Sequence, residues 1–315
     1  MIPVIYDDRF LAHITGRQHP ERPDRLKAIV NALRSSTLSE SIDWISPRSA
    51  TLDELLWIHT HAHIDKVRTM AESGGGYLDE DTPVCSESYA IALLSAGAWL
   101  KGVDETLNRK QNAIVISRPP GHHAESDRAM GFCLFSNAAL AAHYAVRQKG
   151  ISRVAVFDWD VHHGNGTQHI LEKDNRFYYC SMHQAPHYPG TGGIHEKGEF
   201  DNVLNIPLPA GSNGEDYLIR FREDVVPFIK RANPQLLIIS AGFDAARSDP
   251  LSSMDLEPED FADLLQNCDQ FDVPIVIGLE GGYDCDTLGK SMILLAKIIK
   301  DQNGKENYAP KNIHG

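Results

Sequence analysis

The sequence is poor in the features that mark disulfide frameworks, cysteine zinc sites and secretory leaders. Its five cysteines are widely separated, and none of them lies in a CxxC arrangement. An odd and scattered set is not typical of secreted disulfide-rich domains or of zinc fingers. The N-terminal segment MIPVIYDDRF has neither a basic region nor a long apolar region, so no secretory signal is predicted. We therefore expect a reduced, cytoplasmic protein.

Positive charge is also scarce. Lysine and arginine together number 30 against 43 aspartates and glutamates, which gives a formal net charge of −13. Nucleic-acid binding needs clustered lysine and arginine and is not expected. The acidic balance favours cationic ligands or basic peptides, and solubility is its simpler explanation. No apolar run approaches the ~20 residues that cross a bilayer, so no membrane partner is predicted.

Short apolar runs rich in valine and isoleucine are the most regular feature of the chain. The four clearest are apolar on both faces and cover residues 112–117, 153–157, 236–240 and 274–279. Such runs predict strands that are buried on both sides, as in a parallel sheet. Two weaker strand candidates cover residues 176–183 and 202–208.

Helical patterns separate the predicted strands. They cover residues 22–36, 86–110, 136–150, 214–232 and 287–301. Ser136 and Gly150 are typical of the first and last positions of a helix. The glycine-rich stretch 71–83 is predicted to be a surface loop, and 301–315 a polar C-terminal tail. Strands that alternate with helices predict an α/β fold, so we expect one domain over residues 1–315.

Chemically active residues follow the predicted strands. RPPGHHAE, DWDVHHGNG, AGFDAARSDP and EGGYD each come after one of the four clear strand candidates. In open parallel sheets, ligands bind beyond the carboxyl ends of the strands. We therefore expect these four segments to form one site at one edge of the sheet.

A divalent metal site is predicted within these segments. Side chains alternate along a strand, so Asp158, Asp160 and His162 would share one side if the strand before them extended that far. Asp160 and His162 would bind one ion, with Asp244 as the third ligand. An Asp, His, Asp set with an open water position suits zinc, and ferrous iron or manganese would also fit.

Attack of metal-activated water on a carbonyl also needs acid and base groups. His122 and His123 lie on a glycine turn and are the candidates. Asp158 would raise the pKa of one imidazole, and Asn165 would orient the other without adding charge, which would separate the two pKa values. Tyr283 follows two glycines and would hydrogen-bond a developing oxyanion.

The motifs RPPGHHA, DWDVHHGNGT, SAGFDAARSDP and LEGGY, in this order, resemble those of the histone deacetylase superfamily, which includes bacterial acetylpolyamine amidohydrolases. HPERPDRL and GFCLFSN also fit, so the resemblance covers roughly residues 5–300. It implies an arginase-like open α/β fold, with an eight-stranded, mostly parallel sheet and helices on both faces. Asn165 stands where class I enzymes carry Asp, which resembles class II and bacterial class II-like members.

The resemblance also implies an activity, the hydrolysis of acetyl or other acyl groups from lysine side chains or related amines. His123 would be the general base and acid, and His122 paired with Asp158 would give electrostatic support. Tyr283 would polarise the acyl carbonyl. The implied zinc ligands are Asp160, His162 and Asp244.

Potassium and a substrate tunnel are further implications of the resemblance. The inner potassium site would be formed by Asp158, Asp160, His162, Ser181 and Met182. A second, outer potassium site would be formed by Leu171, Asp174, Phe177 and Asn202. The acyl-lysine tunnel would be lined by Gly131, Phe132 and Tyr188.

Substrate choice within the superfamily stays open. Leu251 stands where polyamine-selective class II relatives carry Glu, which disfavours polyamine binding by that route. The acidic loop residues Asp79, Glu80 and Asp81 would offer another route, so an acetylpolyamine amidohydrolase is one alternative. A catalytically silent module that recognises acylated partners is another, although the intact tyrosine and histidine pair favour turnover. Oligomeric state is not predicted.

Overall fold

The computed structural model describes residues 1–304. Its strands, in chain order, are β1 (Ile2–Ile5), β2 (Ile42–Ile45), β3 (Gly75–Tyr77), β4 (Pro83–Cys85), β5 (Ala113–Val115), β6 (Val154–Asp158), β7 (Phe177–Gln184), β8 (Val203–Leu208), β9 (Leu236–Ala241) and β10 (Ile275–Leu279).

Eight of these strands form one sheet in the order β2-β1-β5-β10-β9-β6-β7-β8. Every neighbouring pair in it is parallel, which confirms the predicted sheet. The four clear apolar runs form the four central strands, and all their residues are buried. Central strands are covered on both faces, which explains why these runs show no polar alternation.

The outer strands were harder to predict. The two weaker candidates form β7 and β8 at one end of the sheet, whereas β1 and β2 at the other end have only four residues each. The loop predicted over 71–83 is wrong in part, because β3 and β4 pair there as an antiparallel hairpin. Gly75 has φ 111°, and a Cβ at this position would lie 2.4 Å from the Val84 carbonyl oxygen. The hairpin therefore uses glycine in place of the β-branched residues that usually mark strands.

Each of the five predicted helical patterns corresponds to one helix or, over 214–232, to two, whereas the helices at 52–55, 61–72, 165–171 and 258–268 were not predicted. The helices are α1 (Asp24–Ser35), α2 (Leu52–Leu55), α3 (His61–Glu72), α4 (Ser88–Arg109), α5 (Asn137–Lys149), α6 (Asn165–Leu171), α7 (Gly214–Arg220), α8 (Val226–Ala232), α9 (Pro258–Cys268) and α10 (Cys285–Gly304).

The end of α5 and the interruption of the pattern over 214–232 have local causes. Gly150 ends α5 with φ 67°, and Ser136 precedes α5 without a capping hydrogen bond from its side chain. The pattern over 214–232 is divided by a π-helical turn at Phe221–Val225. Pro227 follows this turn and has no N–H to continue the regular α-helical hydrogen bonds.

Helices flank the sheet and share one core with it. The helix α4 packs on β1, β5 and β10, and α5 packs on β6 and β9. A Cβ at Gly278 would lie 2.1 Å from the Trp99 ring, so α4 lies directly on β10. Residues 301–304 complete α10, and the rest of the predicted tail lies outside the described residues. Within residues 1–304, no helix combines the length and apolarity of a membrane span.

Candidate active site

The segment after β6 brings two carboxylates and an imidazole to one edge of the sheet. The strand ends at Asp158, so the side-chain alternation expected beyond it is wrong. Hydrogen bonds turn the chain instead. Asp158 Oδ1 accepts from the Asp160 N–H at 3.2 Å, and Asp160 Oδ1 accepts from the His162 N–H at 2.9 Å. Each carboxylate thereby orients the residue that comes two positions later.

Asp244 follows β9 and completes a three-residue cluster. Its Oδ1 accepts from the Val161 N–H at 2.9 Å, which ties the two loops together. Ligand atoms of Asp160, His162 and Asp244 lie within 4.8 Å of one another, and all three residues are buried. His162 Nδ1 lies 3.1 Å from Asp160 Oδ1 and 3.2 Å from Asp244 Oδ2.

This cluster fits a divalent cation. Asp244 Oδ2 is buried and has no well-aligned hydrogen-bond donor, only the 3.2 Å contact with His162 Nδ1, and such a buried carboxylate oxygen is costly unless a cation neutralises it. Burial opposes the protonation of His162, but the attraction of Asp160 and Asp244 outweighs burial and raises its pKa to about 10. A proton is therefore held where three ligand atoms converge, which is the position that a metal ion would take.

The histidine pair lies beside this cluster. The ring centroids of His122 and His123 are 4.0 Å apart. His122 Nδ1 lies 3.1 Å from Asp158 Oδ2, and His123 Nδ1 lies 2.9 Å from Asn165 Oδ1. The structure thus gives one imidazole a carboxylate partner and the other a neutral amide.

The two imidazoles have pKa values that move in opposite directions. Burial disfavours protonation of His122, but the charges of Asp160 and Asp158 outweigh burial and raise its pKa well above the usual value. Burial lowers the pKa of His123 well below the usual value, and the adjacent His122 adds to this effect. At neutral pH the pair therefore consists of a charged and a neutral imidazole.

The loop that carries Tyr283 is joined to the carboxylates of the site. The Gly281 N–H donates to Asp160 Oδ2 at 2.8 Å, and the Tyr283 N–H donates to Asp249 Oδ2 at 2.6 Å. Gly282 between them has φ 108°, a conformation that glycine adopts without strain. Burial raises the pKa of the Tyr283 phenol well above its usual value, so the hydroxyl keeps its proton and can donate it in a hydrogen bond.

Aromatic rings surround the approach to these groups. The Phe132 and Tyr283 rings meet edge to face at 5.9 Å, and the His123 and Tyr188 rings do so at 5.1 Å. A Cβ at Gly131 would lie 2.4 Å from His123 Cδ2 and 3.0 Å from the Tyr188 hydroxyl. All three residues predicted to line a tunnel are therefore next to the histidines or the tyrosine.

Leu251 and the acidic loop, which were also predicted to contact the substrate, lie near these aromatic rings. The Leu251 carbonyl accepts from His187 Nε2 at 2.9 Å, and the His187 ring stacks on His162 at 5.0 Å. Burial raises the pKa of Tyr188, and the charges of Asp81 and Asp79 raise it further. These carboxylates therefore act electrostatically on the aromatic wall.

The residues of the two predicted potassium sites also come together. Asp158 and Ser181 are paired across β6 and β7. At the outer set, Asn202 Nδ2 lies 3.4, 3.2 and 2.9 Å from the carbonyl oxygens of Leu171, Asp174 and Phe177. The side-chain amide of Asn202 thus donates into a group of three carbonyls.

Several supporting residues were not predicted from the sequence. Arg25 donates to the carbonyls of Gly282 and Glu280, each at 2.6 Å, and its guanidinium lies 4.9 Å from the centroid of the Tyr283 ring. Buried Glu21 joins Arg25 to Arg118 through ion pairs. Glu21 and Arg25 lie in HPERPDRL, and Arg118 lies in RPPGHHA. These motifs could have singled the residues out, but a motif does not show which partners a buried charge contacts.

Comparisons with known proteins agree with this geometry. The family model for the histone deacetylase domain matches residues 19–299. An uncharacterized protein of Synechocystis sp. is 47% identical over 95% of this chain and 99% of its own length. A probable deacetylase of Methanothermobacter thermautotrophicus is 41% identical over 93% of this chain and 88% of its own length.

A solved structure supports the same grouping. The crystal structure of the HDA15 HD domain superposes with a TM-score of 0.90 and 35% sequence identity, covering 96% of this chain and 90% of that one. The histone deacetylase-like amidohydrolase of Pseudomonas aeruginosa is 38% identical over 77% of this chain and 65% of its own length. The chain therefore belongs to the histone deacetylase family of hydrolytic deacetylases.

Proposed function

We propose that this deacetylase is a zinc-dependent amidohydrolase that removes acetyl or other acyl groups from lysine side chains or related amines. The observation that carries the proposal is the convergence of Asp160, His162 and Asp244 on one position, next to the paired histidines. A zinc ion bound by these residues would make water nucleophilic near neutral pH and would polarise an acyl oxygen.

His123 is the proposed general base and acid. Its depressed pKa leaves it neutral at physiological pH, and a neutral imidazole can accept a proton from attacking water. Asn165 Oδ1 holds the ring through a hydrogen bond to His123 Nδ1, and Nε2 is therefore the nitrogen that exchanges the proton. The same nitrogen then donates that proton to the departing amine.

His122 supplies charge and not proton transfer. Its raised pKa keeps it protonated, and Asp158 holds it through Nδ1. A buried imidazolium beside the site stabilises negative charge that develops on the substrate. Tyr283 contributes a hydroxyl donor to the acyl oxygen, since its raised pKa keeps the phenol protonated.

A lysine side chain is the favoured substrate class. The rings of Phe132 and Tyr188 give the entrance apolar walls, which suit the hydrocarbon stem of an acylated lysine. An acetylated polyamine is the second candidate, because Asp79 and Asp81 act on the same wall and would attract a second ammonium group. Leu251 offers no charge for that role.

Potassium is proposed as a structural ion at the inner site formed by Asp158, Asp160, His162, Ser181 and Met182. The outer site requires one rearrangement. The Asn202 amide would have to turn its oxygen towards the carbonyls of Leu171, Asp174 and Phe177, because its nitrogen now donates to them. A crystal grown with thallium in place of potassium would show by anomalous scattering which of the two sites holds a monovalent ion.

Hydrolysis of acetyl-lysine peptides and of acetylated spermidine, measured side by side, tests this function. We expect faster turnover of the peptide, loss of turnover after chelation, and recovery with zinc. Faster turnover of the polyamine would favour the second candidate. Turnover of neither substrate, at full metal occupancy, would support a silent acyl-lysine binding module and contradict the proposed function.

A further inference from the structure

Glu280 is a fully buried carboxylate for which the proposed chemistry has no use. It lies directly after β10, in the motif LEGGY, and its side chain is inaccessible to solvent. Burying a carboxylate is unfavourable unless hydrogen bonds or charges compensate for the lost hydration. Its contacts therefore indicate which part of the molecule depends on it.

Both carboxylate oxygens of Glu280 have partners. Oε2 accepts from the Gly121 N–H at 2.7 Å and from the His122 N–H at 3.2 Å. Oε1 accepts from the Ser240 hydroxyl at 3.1 Å. One side chain thus joins the histidine-bearing turn to the end of β9, the strand that leads to Asp244.

The backbone of Glu280 is equally constrained. Its N–H donates to the Ala241 carbonyl at 2.9 Å, and its carbonyl accepts from Arg25 at 2.6 Å. The carboxylate is therefore anchored independently of the turn that it holds. On the other side of the turn, a Cβ at Gly121 would lie 2.5 Å from the Asn137 nitrogen, so the turn is fixed between α5 and Glu280.

The carbonyl side of the turn has its own support, because the His122 oxygen accepts from the Gly166 and Thr167 N–H groups, each at 3.0 Å. The N–H groups of Gly121 and His122, in contrast, donate to Glu280. Pro119 and Pro120 precede Gly121 and have no N–H to donate. The N–H groups of Gly121 and His122 are consequently the first donors after Arg118, and both point at the same oxygen of Glu280. Their direction fixes the peptide plane from which the two imidazoles project.

We propose that Glu280 is a positioning residue for the histidine pair, and this inference rests on the proposed function. It holds the Gly121–His122 peptide so that His122 meets Asp158 and His123 meets Asn165. It does not contact the reacting atoms. Displacement of a catalytic group by about 1 Å is enough to lower turnover about 10²-fold.

Three variants separate this role from general packing. Glu280→Leu replaces the carboxylate with an apolar side chain and removes the acceptors. Glu280→Gln keeps an oxygen for both N–H groups, because the Ser240 hydroxyl can rotate and accept from the new amide. Ser240→Ala removes only the contact to Oε1 and is the matched control.

We expect Glu280→Leu to lower kcat about 10²-fold with KM within about threefold of the wild type. Glu280→Gln should restore turnover to within about tenfold of the wild type, and Ser240→Ala should leave it unchanged. If Glu280→Leu does not fold, Glu280→Asp replaces it, and its shorter reach should give an intermediate loss. A folded Glu280→Leu with wild-type kcat, or a Glu280→Gln as impaired as Glu280→Leu, would overturn the proposal.

Hydrogen–deuterium exchange over residues 119–124 gives a readout that does not depend on activity. Exchange in this segment should accelerate in Glu280→Leu but not in Glu280→Gln, at equal zinc content. Unchanged exchange in Glu280→Leu would overturn the proposed hold on the turn. Absence of hydrolysis by the wild-type protein would instead contradict the proposed function, and the exchange data would still report whether Glu280 fixes the turn.

Discussion

Changing Asn165 to Asp tests the division of roles within the histidine pair. Asn165 Oδ1 lies 2.9 Å from His123 Nδ1, and its Nδ2 donates to Glu125 Oε1 at 2.8 Å. The substitution keeps the size of the side chain and adds a negative charge beside an imidazole that is otherwise kept neutral. A carboxylate stabilises the imidazolium, so the pKa of His123 must rise.

The size of the change follows from burial and distance. An opposite charge within 4–6 Å shifts a pKa by about 1–3 units, which corresponds to about 1.4–4 kcal/mol at about 1.4 kcal/mol per unit. His123 is buried and directly hydrogen-bonded to residue 165, so we expect its pKa to shift by an amount within this range of about 1–3 units. The introduced carboxylate would also face Glu125, whose repulsion reduces the effect. Adding Glu125→Gln removes that repulsion and should give the larger shift.

The assay is the pH dependence of kcat/KM on an acetyl-lysine peptide, since its acid limb reports the base of the free enzyme. We expect the acid limb to move upward by about 1–3 pH units in Asn165→Asp, with lower activity at neutral pH and recovery at alkaline pH. Glu125→Gln alone should leave the limb near its wild-type position. An acid limb that does not move in either Asn165→Asp variant would refute the role of His123 as the base.

Two further substitutions and one change of pH have defined outcomes. Tyr283→Phe should lower kcat by about 10²-fold or more, because an oxyanion donor is lost, and unchanged turnover would remove that role. Gly131→Ala should lower turnover at least about tenfold, because its Cβ would press on the His123 ring. Gly150→Ala has a similar positive φ but open surroundings, and it should remain fully active. As the pH is lowered from 6.5 to about 4, urea midpoints should decrease, because buried histidines with folded pKa values of about 3 or 4 bind protons first in the unfolded state. Asp249 and Glu280, whose buried carboxyls have pKa values raised to about 7, should offset part of this loss. A midpoint that increases as the pH is lowered would contradict the burial of these histidines as neutral groups. These histidines are His13, His59, His143, His163 and His183.

The centre of the sheet could be predicted because its strands are buried on both faces. Their runs of valine and isoleucine are unambiguous, and the parallel arrangement then brings four chemically active loops to one edge. The strands β1 and β2 at one end of the sheet give no such signal, because β1 contains Pro3 and β2 is only partly buried. The β3–β4 hairpin depends on glycines with positive φ, which in a sequence indicate a loop.

The site could be predicted to the level of its residues but not of its geometry. Asp160 and His162 converge with Asp244 although the strand ends at Asp158, because Asp158 and Asp160 accept hydrogen bonds from the backbone two residues later. Side-chain hydrogen bonds of this kind leave no periodic pattern. The role of a buried supporting group such as Glu280 cannot be predicted from the sequence either, because its partners lie far away along the chain.

Metal content and hydrolysis should be measured on the same samples while chelator-treated protein is titrated with zinc. We expect acetyl-lysine hydrolysis to rise in parallel with tightly bound zinc and to saturate at one ion per chain. Asp244→Asn should lose the tightly bound ion and the activity together. Full hydrolysis by the metal-free protein, or tight binding that persists in Asp244→Asn, would contradict a catalytic ion held by Asp160, His162 and Asp244.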